Sequence, residues 1–256
     1  MTYQTITYGV DAGIATLTLN RPEVMNALTS AMRAEMLAAV TDSGQTARVL
    51  VITGAGRAFC SGQDLADAGA ALDMEATLRN EYEPLLRAIY DCPVPVIAAV
   101  NGAAAGAGAN LALAADVVIA AESASFIQAF TRIGLIPDAG GTYWLPRQVG
   151  FARAMGAMLF AEKISAAQAA AWGMIWETVP DAGFAAHIAA RAATLAKGPT
   201  VAYCGVKQAL RASSSNDLDA QLSLEARLQG GCGQTRDFKE GVLAFLEKRT
   251  ARFEGC

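Results

Sequence analysis

Three glycine-rich turns and one acid carry the chemistry this sequence can offer. Gly102-Ala103-Ala104-Ala105-Gly106-Ala107-Gly108-Ala109-Asn110 follows an apolar run and opens a helical pattern at Leu111, Leu113 and Ala114. Backbone N–H groups at such a turn face outward and meet the positive end of a helix dipole, which suits an anion or an oxyanion. Close helix packing explains the same small residues. The turn is not a dinucleotide fingerprint, because Leu111 stands where the third glycine belongs, and it lacks the Gly-Lys-Ser/Thr of a phosphate loop. A second turn runs from Thr53 to Leu65, also after an apolar run. The third, Gly134 to Thr142, holds Asp138 among apolar and small neighbours, with Arg132 and Arg147 six and nine positions away. Burial there would raise the carboxyl pKa and suit proton transfer. The other reading is a helix cap before Ala139, worth about 1 kcal/mol; spacing leaves both open. Cys60 lies within the second turn but has no histidine partner to activate it, since the one histidine, His187, is far from every turn in sequence.

Short apolar runs must position these turns. Ile14–Leu19 alternates as a strand does, and Val49–Thr53, Val96–Val100 and Val117–Ala120 are further buried-strand candidates. Leu28, Met32, Met36 and Val40 are spaced by four, with Thr29 or Ser30 placed to cap a helix. Leu78, Tyr82, Leu85 and Ile89 form a second helical stripe that Pro84 interrupts. After Ser165 five helices are expected: Ser165–Trp172, Phe184–Ala196, Val201–Arg211, Leu218–Leu228 and Asp237–Lys248. The order strand, helix, strand argues for an α/β core, and the surplus of late helices for packing on another subunit.

The 256 residues, 53% hydrophobic and 17% charged, imply one main unit with a large core and exclude a disordered or coiled-coil chain. A net charge of −4 without any Lys/Arg run argues against nucleic-acid binding. Five scattered cysteines, Cys60, Cys92, Cys204, Cys232 and Cys256, without a CxxC pair fit a reducing cytosol and neither a disulfide framework nor a zinc site. The start Met1-Thr2-Tyr3-Gln4 does not read as a signal peptide, and polar residues and glycines interrupt the apolar stretch Pro95–Ala121, so no membrane span is expected. The expected location is the cytoplasm.

Taken together, the motifs carry a resemblance. Asn20-Arg21-Pro22 with Asn26-Ala27, then Gly56 to Leu65, then Val100-Asn101-Gly102 with Gly106-Ala107-Gly108, then Gly134 to Thr142 stand in the order of the crotonase (enoyl-CoA hydratase/isomerase) superfamily. Ala244-Phe245-Leu246-Glu247-Lys248-Arg249 is similar to its C-terminal signature. More narrowly, Gly106 to Ala109, Ile136-Pro137-Asp138 and Trp172 to Trp176 resemble the branch that isomerises an epoxidised phenylacetyl-CoA. The resemblance implies an α/β spiral of ββα repeats over residues 1–196 and a helical trimerisation region over 197–256. It implies an acyl-CoA substrate, with CoA part of the substrate and no separate cofactor or metal. It also implies a homotrimer or a hexamer of paired trimers, with a hydratase or dehydrogenase of the same route as a possible partner.

By position, the resemblance puts two backbone donors for the thioester oxygen on Gln63 and Ala107. Side-chain identity there is expected to matter less than turn shape. It puts Val24, Ala27, Ser61, Asp64 and Leu65 along the adenine and pantetheine wall, and Phe245 and Lys248 against a neighbouring subunit's CoA. The two hydratase glutamate positions hold Asn110 and Phe130, here taken as substrate-lining, which makes hydration an unexpected reaction. Asp138 falls on the acid of the isomerase branch, so a ring-epoxide rearrangement or a 3-enoyl to 2-enoyl shift is expected. One alternative is an aryl-CoA dehalogenase with Asp138 as nucleophile, although Phe130 stands where those enzymes carry tryptophan. A non-catalytic CoA-binding subunit is another.

Overall fold

The computed structural model describes residues 3–67 and 73–256. Strands β1 (Ile6–Asp11) and β2 (Ile14–Leu19) form an antiparallel hairpin, and alternation in β2 buries Ala15, Leu17 and Leu19. Helix α1 (Ser30–Thr46) starts where the Thr29 hydroxyl accepts a hydrogen bond from the Met32 N–H. From here one unit repeats. β3 (Val49–Gly54) and β4 (Ala58–Cys60) lead to α2 (Met74–Thr77), a π turn (Leu78–Tyr82) and α3 (Glu83–Tyr90). β5 (Val96–Val100) and β6 (Ala103–Ala105) lead to α4 (Ala107–Leu113). β7 (Val117–Ala121) and β8 (Ser125–Ile127) lead to α5 (Gly141–Val149) and α6 (Phe151–Phe160).

The first strand of each pair joins one sheet and the second strand joins another. β9 (Ile164–Ser165), α7 (Ala166–Ala171) and β10 (Glu177–Val179) complete them, giving sheet orders β1-β2-β3-β5-β7-β10 and β4-β6-β8-β9. This is the spiral of ββα turns that the resemblance implies. Apart from the β1 hairpin, the large sheet is parallel, and β5 is buried at all five positions, as a strand covered on both faces must be. Helices α8 (Phe184–Ala196), α9 (Thr200–Ala212), α10 (Leu218–Cys232) and α11 (Arg236–Leu246) follow. Their free faces expose Leu210, Leu218, Leu222, Phe245 and Leu246.

Pro84 does not end the helix it interrupts. It is the second residue of α3, immediately after the π turn, and the widened turn accommodates a residue that cannot donate to the ladder. Gly102–Asn110, read as a turn, contains strand β6 before α4 begins. Among the described residues no helix is long and apolar enough to cross a membrane.

Candidate active site

Two strand ends and one helix start create a pair of free donors. After β4 the chain pairs with Leu28 in a single parallel bridge: the Leu28 N–H donates to Gly62 O at 2.8 Å and the Asp64 N–H to Leu28 O at 3.0 Å. That pairing uses the groups on either side of Gln63, so the Gln63 N–H points away from Leu28. Ala107 opens α4, where the first N–H groups have no helical acceptor. Among the described residues neither the Gln63 nor the Ala107 N–H has an intramolecular acceptor. The two turns touch: a Cβ on Gly62, whose φ is +97°, would lie 2.8 Å from Ala105 O and 3.5 Å from the Ala107 nitrogen. Only glycine allows that approach.

The Gln63 side chain matters more than the sequence suggested. Its Oε1 accepts from Arg33 Nη1 at 2.7 Å and from the Tyr82 hydroxyl at 2.6 Å, and its Nε2 donates to Asp64 O at 3.1 Å. Arg33 is wholly buried. It also donates to Leu28 O, to the Ser30 hydroxyl and twice to Glu81 Oε2, and its guanidinium lies 4.6 Å from the Tyr82 ring centre. A buried arginine is stable only when its donors are satisfied in this way. The donor turn is thereby tied to α1 and to the π turn.

Gln63, Ala107 and Asp138 line one cavity of about 490 Å³. Asp138 also lines a second, of about 720 Å³, with Tyr82, Leu86, Tyr90, Tyr143 and Trp144. The acid therefore stands on the wall between the two. It is not a helix cap: α5 begins at Gly141 without any side-chain cap. Its Oδ1 is buried with no hydrogen-bond partner among the described residues, and burial pushes the carboxyl up to about 6. The Tyr90 and Trp144 rings lie 5.3 Å apart and Tyr143 meets Trp144 edge-on at 4.7 Å, so aromatic faces dominate this second wall.

Other sequence-derived positions fall in three groups. Ser61, Asp64, Leu65 and Phe130 line the first cavity. Asp64 is paired with Arg21 at 2.8 Å, which holds its carboxyl below the usual range. Val24 and Ala27 sit behind the donor turn and do not line this cavity: the Ser61 hydroxyl donates to Val24 O, and Arg21 Nη1 to Ala27 O. Asn110 does not line it either. It is fully buried, and its amide is spent on protein groups because α4 turns it inward toward the Asp138 loop. Phe245 and Lys248 also lie away from this cavity within one chain; Phe245, at the end of α11, lines a separate cavity of about 430 Å³. Phe126 belongs to the core, while Tyr143 and Trp144 face the second cavity. Cys60 is buried, which pushes its thiol up to about 12 and leaves it inert at neutral pH.

Sequence reading missed Arg33, Gln128 and Tyr90. Tyr82 was placed on a helical stripe without a role. None of them sits in a motif, and the packing of helices and loops on the sheets brings them to the site.

Paired free N–H donors and a single raised carboxyl on one cavity are the kinds of group that oxyanion stabilisation and proton transfer require. The profile of the enoyl-CoA hydratase/isomerase family matches residues 9–256. A Rhodobacter capsulatus protein described as "Probable enoyl-CoA hydratase" is 66% identical over 256 residues, covering 100% of both chains. The 1,2-epoxyphenylacetyl-CoA isomerase of Escherichia coli is 47% identical over 253 residues, covering 96% of this chain and 97% of that one. A crystal structure of an enoyl-CoA hydratase from Bacillus anthracis superposes with a TM-score of 0.92 at 34% identity, covering 99% of this chain and 100% of that one. The chain belongs to the enoyl-CoA hydratase/isomerase family of the crotonase superfamily.

Proposed function

We propose that this protein is a CoA-thioester isomerase with Asp138 as its one acid/base. The thioester oxygen accepts from the Gln63 and Ala107 N–H groups, which stabilise the enolate by about 3 kcal/mol per donor. The Asp138 carboxylate takes a proton from C2 of a 3-enoyl-CoA, the double bond moves to C2–C3, and the same carboxyl returns the proton to C4. An epoxidised phenylacetyl-CoA rearranging to its seven-membered oxepin is the ring counterpart, and the aromatic wall of the second cavity suits it. Both reactions are redox-neutral, so the CoA carried by the substrate suffices.

The observation that carries this reading is the acid inventory of the first cavity. Among the described residues its lining holds two carboxyls, Asp64 and Asp138; Asp64 is neutralised by Arg21, and Asp138 stands alone and raised. Hydration asks for groups that both activate and protonate around a water, and Asn110 and Phe130 supply neither. The exposed apolar faces of α9 to α11 favour a homo-oligomer, with Phe245 and Lys248 offered to a neighbouring subunit.

Incubation with 3-enoyl-CoA in deuterated water, followed by NMR, tests the reading. Double-bond migration is the expected result, with deuterium at C4 only to the extent that the Asp138 carboxyl exchanges with solvent between the two transfers. Hydration of 2-enoyl-CoA at the rate of that migration would overturn it, and steady chloride release from 4-chlorobenzoyl-CoA would point to the dehalogenase instead.

A further inference from the structure

The Asp138 turn is not a self-supporting piece of backbone. Ala139 and Gly140 follow the acid with φ of +47° and +79°, two consecutive left-handed residues, the first of which carries a Cβ. A non-glycine residue persists there only when its surroundings hold it. The local contact is the Gly141 N–H, which donates to Asp138 O at 2.9 Å. A second comes from far away in sequence: the Asn110 Nδ2 donates to the same carbonyl at 2.8 Å.

Asn110 is itself held. Its Oδ1 accepts from Gln128 Nε2 at 2.7 Å, and both side chains are buried, with exposures of 0% and 1%. That bond fixes which end of the amide meets Asp138. Gly141 completes the seat, because a Cβ there would lie 2.4 Å from the Asn110 Nδ2. Asn110 also stands on α4, the helix whose first residue is the donor Ala107. One rigid turn of helix therefore carries an oxyanion donor at its start and the clamp on the acid's loop one turn later.

We infer that Asn110 is the positioning residue that fixes the distance between the Asp138 carboxyl and the oxyanion donors, with Gln128 orienting its amide. The inference rests on the isomerase reading only for its catalytic consequence. Removing the clamp lets the left-handed turn relax, admits water to the carboxyl and displaces it from the reacting carbons. A misplacement on the order of 1 Å costs about 100-fold in rate. Substrate binding changes less, because Asn110 touches neither cavity.

The test uses Asn110→Ala and the milder Gln128→Met, which keeps the clamp but frees its orientation and serves if the first variant does not fold. Two readouts are taken. One is the NMR titration of carboxyl-labelled aspartates, with the Asp138 signal identified as the one missing in Asp138→Asn. The other is kcat and KM for 3-enoyl-CoA isomerisation. The expected result is a titration midpoint moved down from about 6 toward the ordinary 3.8, with kcat lower by roughly 10- to 100-fold and KM within about threefold. An unchanged midpoint in both variants overturns the inference whatever the rates do. A lowered midpoint with full kcat also overturns it, since the acid would then tolerate a loosened loop. If the wild-type protein isomerises neither substrate, the proposed function falls, and the midpoint alone decides the role of Asn110.

Discussion

Asp138→Asn should make the protein more stable while abolishing its chemistry. The carboxyl sits at its ordinary 3.8 when unfolded and at about 6 when folded. The folded state therefore holds the proton more tightly, and ionising it there costs free energy. At about 1.4 kcal/mol per tenfold, the cost of the charge is about 3 kcal/mol once both states are ionised. The sign fixes the pH window. Below about pH 4 both states are protonated and the acid costs nothing; the penalty grows between about 4 and 6 and is complete above that. An amide of the same shape never pays it. Urea unfolding of wild type and variant at about pH 4 and about pH 7.5, at one protein concentration, measures the difference. The variant should gain about 3 kcal/mol at the higher pH and almost nothing at the lower, while its isomerase rate falls by about 10²- to 10⁴-fold. Equal stability at both pH values, or a gain that does not depend on pH, would refute the reasoning that burial strains this group.

Other consequences follow from the same geometry. On the proposed role of Asp138 as base, kcat should rise tenfold per pH unit below about 6 and level off above it; a profile flat from pH 5 to 8 would remove Asp138 as the base. Gly62→Ala forces a Cβ to 2.8 Å from Ala105 O and parts the two donors, so kcat should drop by about 10²-fold, as for the loss of one oxyanion donor, with circular dichroism unchanged. Gln63→Met keeps the backbone N–H but removes the anchor of its turn, and should lower kcat more than it raises KM. Arg33→Met strips Glu81, Tyr82 and Gln63 of a shared buried donor and should cost about 3 kcal/mol or more in urea unfolding.

Much of this was legible in the sequence, for identifiable reasons. The bounds of β2, β5 and α8 match the expected runs because β2 alternates, β5 is a continuous apolar run and α8 carries a helical apolar spacing. The turns carrying Gln63, Ala107 and Asp138 announced themselves through glycine spacing, and the fold brings all three to one cavity. The second sheet left little trace, since β4, β6 and β8 are three residues each and β6 is Ala-Ala-Ala, too short and too small to show alternation. Arg33 reads on paper as a solvent-facing charge, and only the packing of the π turn over α1 buries it. Asn110 sits at a position that the family resemblance made a lining residue. Its partner is a main-chain carbonyl 28 residues away, which no side-chain pattern encodes.

The π turn at Leu78–Tyr82 sets a constraint on how this gene can change in length. Such a turn is an α-helix carrying one extra residue. Deleting one of its exposed members, Arg79 for example, would restore the ordinary pitch and rotate whatever lies on one side of the deletion by about 100° relative to the other. Met74, which lines the first cavity, and buried Thr77 could then not keep their places while Tyr82, Leu85 and Ile89 keep theirs. The residue that looks superfluous to the helix is thus the one that reconciles two registers, the cavity-lining one before it and the core-packing one after it, and an alignment gap at this point should mark a relative whose first cavity is walled by other means.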